Sequence, residues 1–274
     1  MRILVTNDDG VFAEGIIILA EHLHETGYNP FVVAPDRERS SVGHAITLSR
    51  PLRLWSISGG QYPGAVSAYA CDGTPSDCVV LGLEAVECGA EMVVSGINSG
   101  PNLGDDLTYS GTVSAAVEGH FLGKPSIAVS LNCGPDEKNH HYKTAAAAVA
   151  EIIGRIGEVS SREKLLLNVN VPNLPLTQIK GVRVTRKGFR FYSEKVTRLL
   201  DPKGKEYYWV SGKPEDRLEE GSDVKAVSEG YVSITPIQMD LTDFAAIEIL
   251  RESGFENFAA ESFGVKRLKK SQDQ

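Results

Sequence analysis

Arg2-Ile3-Leu4-Val5-Thr6-Asn7-Asp8-Asp9-Gly10 decides the reading of this chain. Ile3 to Thr6 is a short apolar run with the pattern of a buried strand. It stops in two adjacent aspartates and a glycine, where the backbone must turn. In open α/β sheets, ligands bind beyond the carboxyl ends of the strands. Two neighbouring carboxylates repel, and burying them uncompensated is costly. A cation between them removes both penalties, so the motif points to a hard divalent metal held by oxygen ligands. The competing assignment, a helix cap plus a turn aspartate, fits an isolated Asp-Asp-Gly. Its position after the first strand favours metal.

Outward from this stretch, apolar runs alternate with segments of helical period. Glu14 to Thr26 carries Ile16, Leu19, Ala20 and Leu23 at helical spacing and stops at Gly27. Phe31 to Ala34 is the next strand. Ala45 to Ile57 and Val66 to Cys71 read as extended pieces. Thr74-Pro75 opens a helix running to about Val86. Met92 to Ser95 and Ile127 to Ser130 are strands on either side of a helix over Gly111 to Leu122. This order implies a parallel sheet covered by helices on both faces. The fold expected is therefore α/β, a Rossmann-like doubly wound and mostly parallel sheet.

The second half changes character. Tyr142 to Ile156 is an alanine-rich helix, and Leu165 to Val171 and Val182 to Thr185 are strands. Arg190 to Leu199 and Lys205 to Ser211 flank Asp201-Pro202-Lys203-Gly204, a hairpin turn signal. Both arms are aromatic, and a projecting hairpin of that kind suits packing on another subunit. Tyr231 to Ile237 is a late strand, Thr242 to Ser253 a late helix, and Lys266 to Gln274 a polar, frayed end. The expected organisation is an N-terminal region, 1–135, carrying the active site, and a C-terminal region, 136–274, with the hairpin and the oligomerisation elements.

Composition narrows the function. The 274 residues carry a formal charge of −8. An acidic surface argues against gripping a nucleic-acid polymer, which needs a basic face. It leaves room for a small phosphorylated substrate, since a bound metal inverts the local field. Cys71, Cys78, Cys88 and Cys133 lack metal-site spacing and read as reduced, mostly buried thiols. No stretch has the length of a membrane span. The expectation is a soluble cytoplasmic protein.

Four polar, glycine-bearing loops are candidates for one site: Asn7 to Gly10, Arg37 to Gly43, Gly96 to Asp106, and Tyr109 to Thr112. Ser40 offers a neutral hydroxyl oxygen and Asn98 an amide oxygen directly after a strand. Alone, these loops read as ordinary polar loops and wide turns. Ser110, Gly111 and Thr112 open a helix, where backbone N–H groups and hydroxyls make an anion site. A plain Ser/Thr cap is the competing assignment. No Walker loop or H-E-x-x-H is present. His44 is the one histidine close enough to a candidate loop to test for acid–base work.

Together and in this order, these motifs resemble the SurE family of stationary-phase survival proteins. The matching stretches are Ile3 to Gly10, Ala34 to Ser40, Gly73 to Cys78, Ser95 to Asn98 with Gly100 and Asn102, Tyr109 to Ala116, and Thr235-Pro236-Ile237 with Asp240 to Asp243. The resemblance implies a metal-dependent hydrolase of nucleoside 5′- and 3′-monophosphates, with some members also trimming polyphosphate. It implies metal ligation by Asp8, Asp9, Ser40 and Asn98, and a homodimer or homotetramer with C-terminal exchange. One departure is Ser41, where many members carry glycine, a residue that tolerates positive φ better than serine.

On this reading one Mg²⁺ or Mn²⁺ ion is held per subunit, since zinc prefers N and S ligands. Asp8 and Asp9 are the catalytic candidates. Asn98, Asn102, Ser110, Gly111 and Thr112 are the candidates for holding substrate phosphate. Two alternatives compete with this reading. A phosphoaspartyl-transfer phosphatase needs Asp-x-Asp, and here the aspartates adjoin. A receiver-like Mg²⁺-binding signalling module needs a phosphoacceptor aspartate ending a middle strand, and Asn98 stands there.

Overall fold

The computed structural model describes residues 1–63, 66–134, 136–159, 165–193, 196–210 and 212–257. The chain divides into two compact units, Met1–Ile237 and Gln238–Gln274. The first unit is built on a sheet whose central strands are β1 (Arg2–Thr6), β2 (Asn29–Pro35), β5 (Met92–Ser99), β6 (Ser126–Asn132) and β7 (Leu166–Pro172). They are buried along nearly their whole length. Continuous apolar runs of this kind belong to parallel strands covered on both faces. The remaining strands of the sheet are β3 (Leu54–Ser56), β4 (Ser67–Cys71), β8 (Val182–Val184) and β13 (Val232–Pro236).

Among the described residues the order across the sheet is β3-β4-β2-β1-β5-β6-β7-β13-β8. Pairings from β4 through β7 are parallel; β3 and β13 run antiparallel to β4 and β7. The chain moves from β1 to β2 on one side and later returns to β5 on the other. The crevice between the carboxyl ends of β1 and β5 is thus the topological switch point, where such sheets bind ligands. The sheet runs on past residue 135 without a break in order, through β7, β13 and β8.

Helices α1 (Glu14–Glu25) and α4 (Tyr142–Ile156) pack with Ile3, Val5 and Val94 on one face. Helices α2 (Pro75–Val80) and α3 (Gly111–Phe121) pack with Leu4, Val33 and Val93 on the other. Alternate residues of β1 therefore face opposite layers, as strand geometry requires. Helix α2 starts in a reciprocal capping box between Thr74 and Asp77, and its last turn widens into a π-type turn over Leu81–Ala85.

Three elements depart from expectation. Residues 45–53 form no strand. Thr47 spends its N–H (2.9 Å) and hydroxyl (2.6 Å) on Asp77, and Thr74 donates to the Ala45 carbonyl (2.7 Å). Side-chain partners at the start of α2 thus replace a ladder. The hairpin is longer than foreseen. Its tip is β10 (Val196–Leu200) against β11 (Glu206–Val210), closed by the Asp201-to-Gly204 turn, with Asp201 accepting from Lys203 and Lys205 N–H at 2.8 Å each. Its base is β9 (Phe189–Ser193) against β12 (Lys213–Arg217). The charged Lys213-Pro-Glu-Asp-Arg217 stretch has little strand propensity; pairing with β9 imposes the conformation. Residue 211, expected in the second arm, lies outside the described residues. The third departure is helix α5 (Asp223–Ser228), capped by Ser222, which was not expected.

The second unit, taken by itself, holds α6 (Phe244–Glu252), capped by Asp243. Phe244, Ile249 and Leu250 are exposed on it. The expected frayed end, 266–274, lies outside the described residues. All four cysteines are free and buried. No described helix is long and apolar enough to cross a membrane.

Candidate functional site

A cleft of about 840 Å³ opens at the switch point, lined among others by Asp8, Asp9, Ser40, Asn98, Asn102 and Ser110. The turn after β1 is closed by Asn7, whose Nδ2 donates to the Gly10 carbonyl at 2.9 Å and whose Oδ1 accepts from Gly10 N–H at 3.2 Å. That local ring points Asp8 and Asp9 past the end of the strand. The Asp8 carbonyl accepts from Arg39 N–H at 2.7 Å, which draws the Arg37-to-Gly43 loop to the same edge.

Asp8 is 4 % exposed. Its carboxylate accepts Thr112 N–H at 3.2 Å and the Thr112 hydroxyl. This approach of α3 depends on Gly111, because a Cβ there would sit 2.9 Å from the Asp8 Cβ. Asp9 accepts Ser99 N–H at 3.0 Å on Oδ2, and Oδ1 has no protein partner among the described residues. Burial pushes the Asp8 carboxyl above its ordinary range, against the Thr112 hydrogen bonds. Burial, and then the Asp8 charge, push Asp9 up to about 7. Glu38 adds a third carboxylate to the cleft and raises both. No described cation forms an ion pair with Asp8 or Asp9.

Asn98 reaches the edge through a one-residue bulge: Ser95 pairs with Ala128 and Asn98 with Ser130. An inserted residue of this kind re-aims the side chains beyond it. The Asn98 Nδ2 donates to the Gly100 carbonyl at 2.8 Å, leaving the amide oxygen uncommitted. Ser40 donates its hydroxyl to Glu38 at 2.6 Å, which leaves the lone pairs of the oxygen free. Ser41 does adopt positive φ, at 56°.

Asn102 is held from behind by β6 and β7. Its N–H donates to Asn170 Oδ1 (2.9 Å), its Nδ2 to Ser130 (2.8 Å), and its carbonyl accepts Nδ2 of Asn168 (2.8 Å) and of Asn170 (3.0 Å). Ser110 caps α3 by accepting Val113 N–H at 3.1 Å. Thr112, expected among the phosphate-holding residues, is fully buried with hydroxyl and N–H both on Asp8. His44 is turned to Glu118 at 2.8 Å, with its ring beside Phe121.

The donor set fits a hard cation. A buried and a half-buried carboxylate without a positive partner, a hydroxyl and an amide oxygen converge on one cleft, all oxygen ligands. No described group of three or more His, Cys, Asp or Glu is arranged to hold a metal. A set that mixes two carboxylates with neutral oxygens is of another kind.

The family model described as Survival protein SurE matches residues 3–194. The chain belongs to the SurE family. A SurE relative from a Synechococcus strain, named 5′-nucleotidase SurE, is 46% identical over 94% of this chain and 99% of its own. One from Serratia proteamaculans, named 5′/3′-nucleotidase SurE, is 48% identical over 92% and 95%. The crystal structure of the SurE protein from Aquifex aeolicus superposes with a TM-score of 0.79 at 41% identity, covering 93% of this chain and all of that one. SurE membership over this length removes the receiver-like alternative.

The sequence reading passed over several lining residues: Glu38, Ser99, Asp106, Tyr109 and Tyr192. Glu38 and Ser99 lie inside loops already singled out, so their signal was position next to a named residue. Tyr192 comes from the hairpin, and nothing in its local sequence ties it to the first strand.

Proposed function

We propose that this chain is a metal-dependent phosphomonoesterase that converts nucleoside 5′- and 3′-monophosphates to nucleoside and phosphate. Polyphosphate chain ends belong to the same proposal. The observation that carries it is the uncompensated Asp8–Asp9 pair at the switch point of the sheet. The nucleotidase names of relatives nearly half identical along the whole chain support the substrate class. Asp8, Asp9, Ser40 and Asn98 would hold the metal, Mg²⁺ or Mn²⁺. When bound, it supplies positive charge that polarises a phosphoryl oxygen and makes water more acidic.

The chain's own residues do the rest. Asp8 is locked by Thr112, so that Thr112 serves the phosphate site through Asp8. Asp9 keeps one oxygen on Ser99 and the other free to orient the attacking water, or to take its proton. Asn98 and Asn102, with Ser110 and the Gly111 N–H at the start of α3, hold phosphoryl oxygens; the helix dipole favours negative charge there. The acidic cleft by itself repels phosphate, which makes turnover depend on the cation. The formal charge of −8 supports small nucleotides over nucleic-acid polymers. The exposed hairpin tip supports a homodimer or homotetramer. Four unpaired thiols suit the cytoplasm.

The test is hydrolysis of AMP and p-nitrophenyl phosphate with and without EDTA. Activity lost to EDTA and restored by Mg²⁺ or Mn²⁺ is the expected result. Turnover unaffected by chelation, or none under any metal, would overturn the proposal.

A further inference from the structure

The cleft's lining has two sources. The sheet edge brings the carboxylates, amides and hydroxyls described above. The hairpin brings Tyr192 from β9, Val210 from β11 and Gly212. Phosphate belongs with the first group, so the remainder of a phosphomonoester must lie against what is left of the lining. Of the two tyrosines in the lining, Tyr109 is 69 % exposed, whereas Tyr192 is half-buried and held in place.

Its holding is specific. The phenolic hydroxyl donates to Asp106, 2.8 and 2.7 Å from the two carboxylate oxygens. Asp106 is itself fixed by Arg190 Nη1 at 3.2 Å, and Arg190 grips Asp216 through Nε (2.6 Å) and Nη2 (2.7 Å). At the other end of the side chain, a Cβ on residue 212 would fall 2.9 Å from the Tyr192 Cβ and 2.8 Å from the Ser193 carbonyl oxygen. Glycine at 212 therefore lets the returning strand lie close against Tyr192. The ring is pinned at both ends before any ligand arrives, so little rotamer entropy remains to be lost on binding. Its hydroxyl is already committed. What it offers the cleft is an aromatic surface.

We infer that Tyr192 is the nucleoside-facing wall of the cleft and selects base-bearing monophosphates over other phosphomonoesters by stacking on the base. The inference rests on the phosphomonoesterase reading for its substrate class and adds the residue that sets selectivity. Base–aromatic stacking contributes about 1–3 kcal/mol per base, and about 1.4 kcal/mol corresponds to tenfold. The preference due to Tyr192 is therefore on the order of 10-fold.

The test compares AMP with ribose 5-phosphate, which lacks the base, in the full-length enzyme loaded with Mn²⁺. In Tyr192→Ala the ratio of kcat/KM for AMP to that for ribose 5-phosphate falls about 10-fold, carried mainly by KM for AMP. Tyr192→Phe keeps the ring and most of the ratio. Adenosine, titrated without metal and followed by ligand-observed NMR, binds the wild type and is weakened several-fold by Tyr192→Ala. An unchanged ratio in Tyr192→Ala overturns the inference. So does an equal fall on both esters, or a wild type that binds no adenosine at millimolar concentration. Should the wild type hydrolyse neither ester, the phosphomonoesterase reading fails, and the adenosine titration still decides the role of Tyr192.

Discussion

Asp9 is where charge and burial conflict most openly. Its carboxyl is raised from the ordinary 3.8 to about 7. The folded state therefore holds this proton more tightly than the unfolded chain. Its contribution to stability is fully present below about pH 4 and is lost as pH rises towards 7. EDTA-treated protein should thus melt at progressively lower temperature as pH rises across this window, and Asp9→Asn should flatten the trend. A melting profile identical to the wild type's would show that Asp9 titrates normally. With Mn²⁺ present, Asp9→Asn should abolish turnover while circular dichroism is unchanged. Retained activity would remove Asp9 from the site.

Thr112 makes a second residue-scale prediction. Valine in its place keeps the shape and leaves a buried carboxylate short of one donor. An unsatisfied buried group costs about 1–3 kcal/mol. Thr112→Val should lower stability by that order in denaturant titration and lower kcat for monophosphates. Loss of neither would mean that the Thr112 hydroxyl does not position Asp8.

At the scale of elements, the hairpin base is anchored by charge more than by apolar packing. Arg190 is 9% exposed and joins Asp106 on the cleft loop to Asp216 on β12. Removing one partner of a buried pair costs about 3–5 kcal/mol when fully desolvated. Asp216 is partly exposed, so about 2 kcal/mol is the expectation for Arg190→Met. Limited proteolysis should then cut within β9 to β12 sooner than in the wild type; an unchanged cleavage pattern would show that the anchor lies elsewhere. The strands β1, β2, β4, β5, β6, β7, β8 and β13 and the helices α1, α2, α3, α4 and α6 fall where their apolar periods and caps place them in the sequence. Those missed, β12 and α5, are short and charged, and their conformation is imposed by neighbours.

For the whole molecule, the hairpin tip presents Tyr208 at 56 % and Trp209 at 61 % exposure. A patch of that kind marks an interaction surface. Replacing Val196 to Val210 by a short turn should reduce the mass measured by light scattering and leave the sheet's circular dichroism intact. An unchanged mass would exclude the tip from assembly.

Sequence alone determined the layered α/β architecture, because strands buried on both faces and amphipathic helices carry their periods locally. It also determined the acidic pair after β1 and the four polar loops, because turn chemistry is written in adjacent residues. Only the tertiary structure decided that Thr112 faces Asp8, that Glu38 joins the carboxylates, and that Tyr192 closes the cleft from the hairpin. Those relations join residues 30 to 184 positions apart in the chain, and distance in space is fixed by packing rather than by any pattern along the chain.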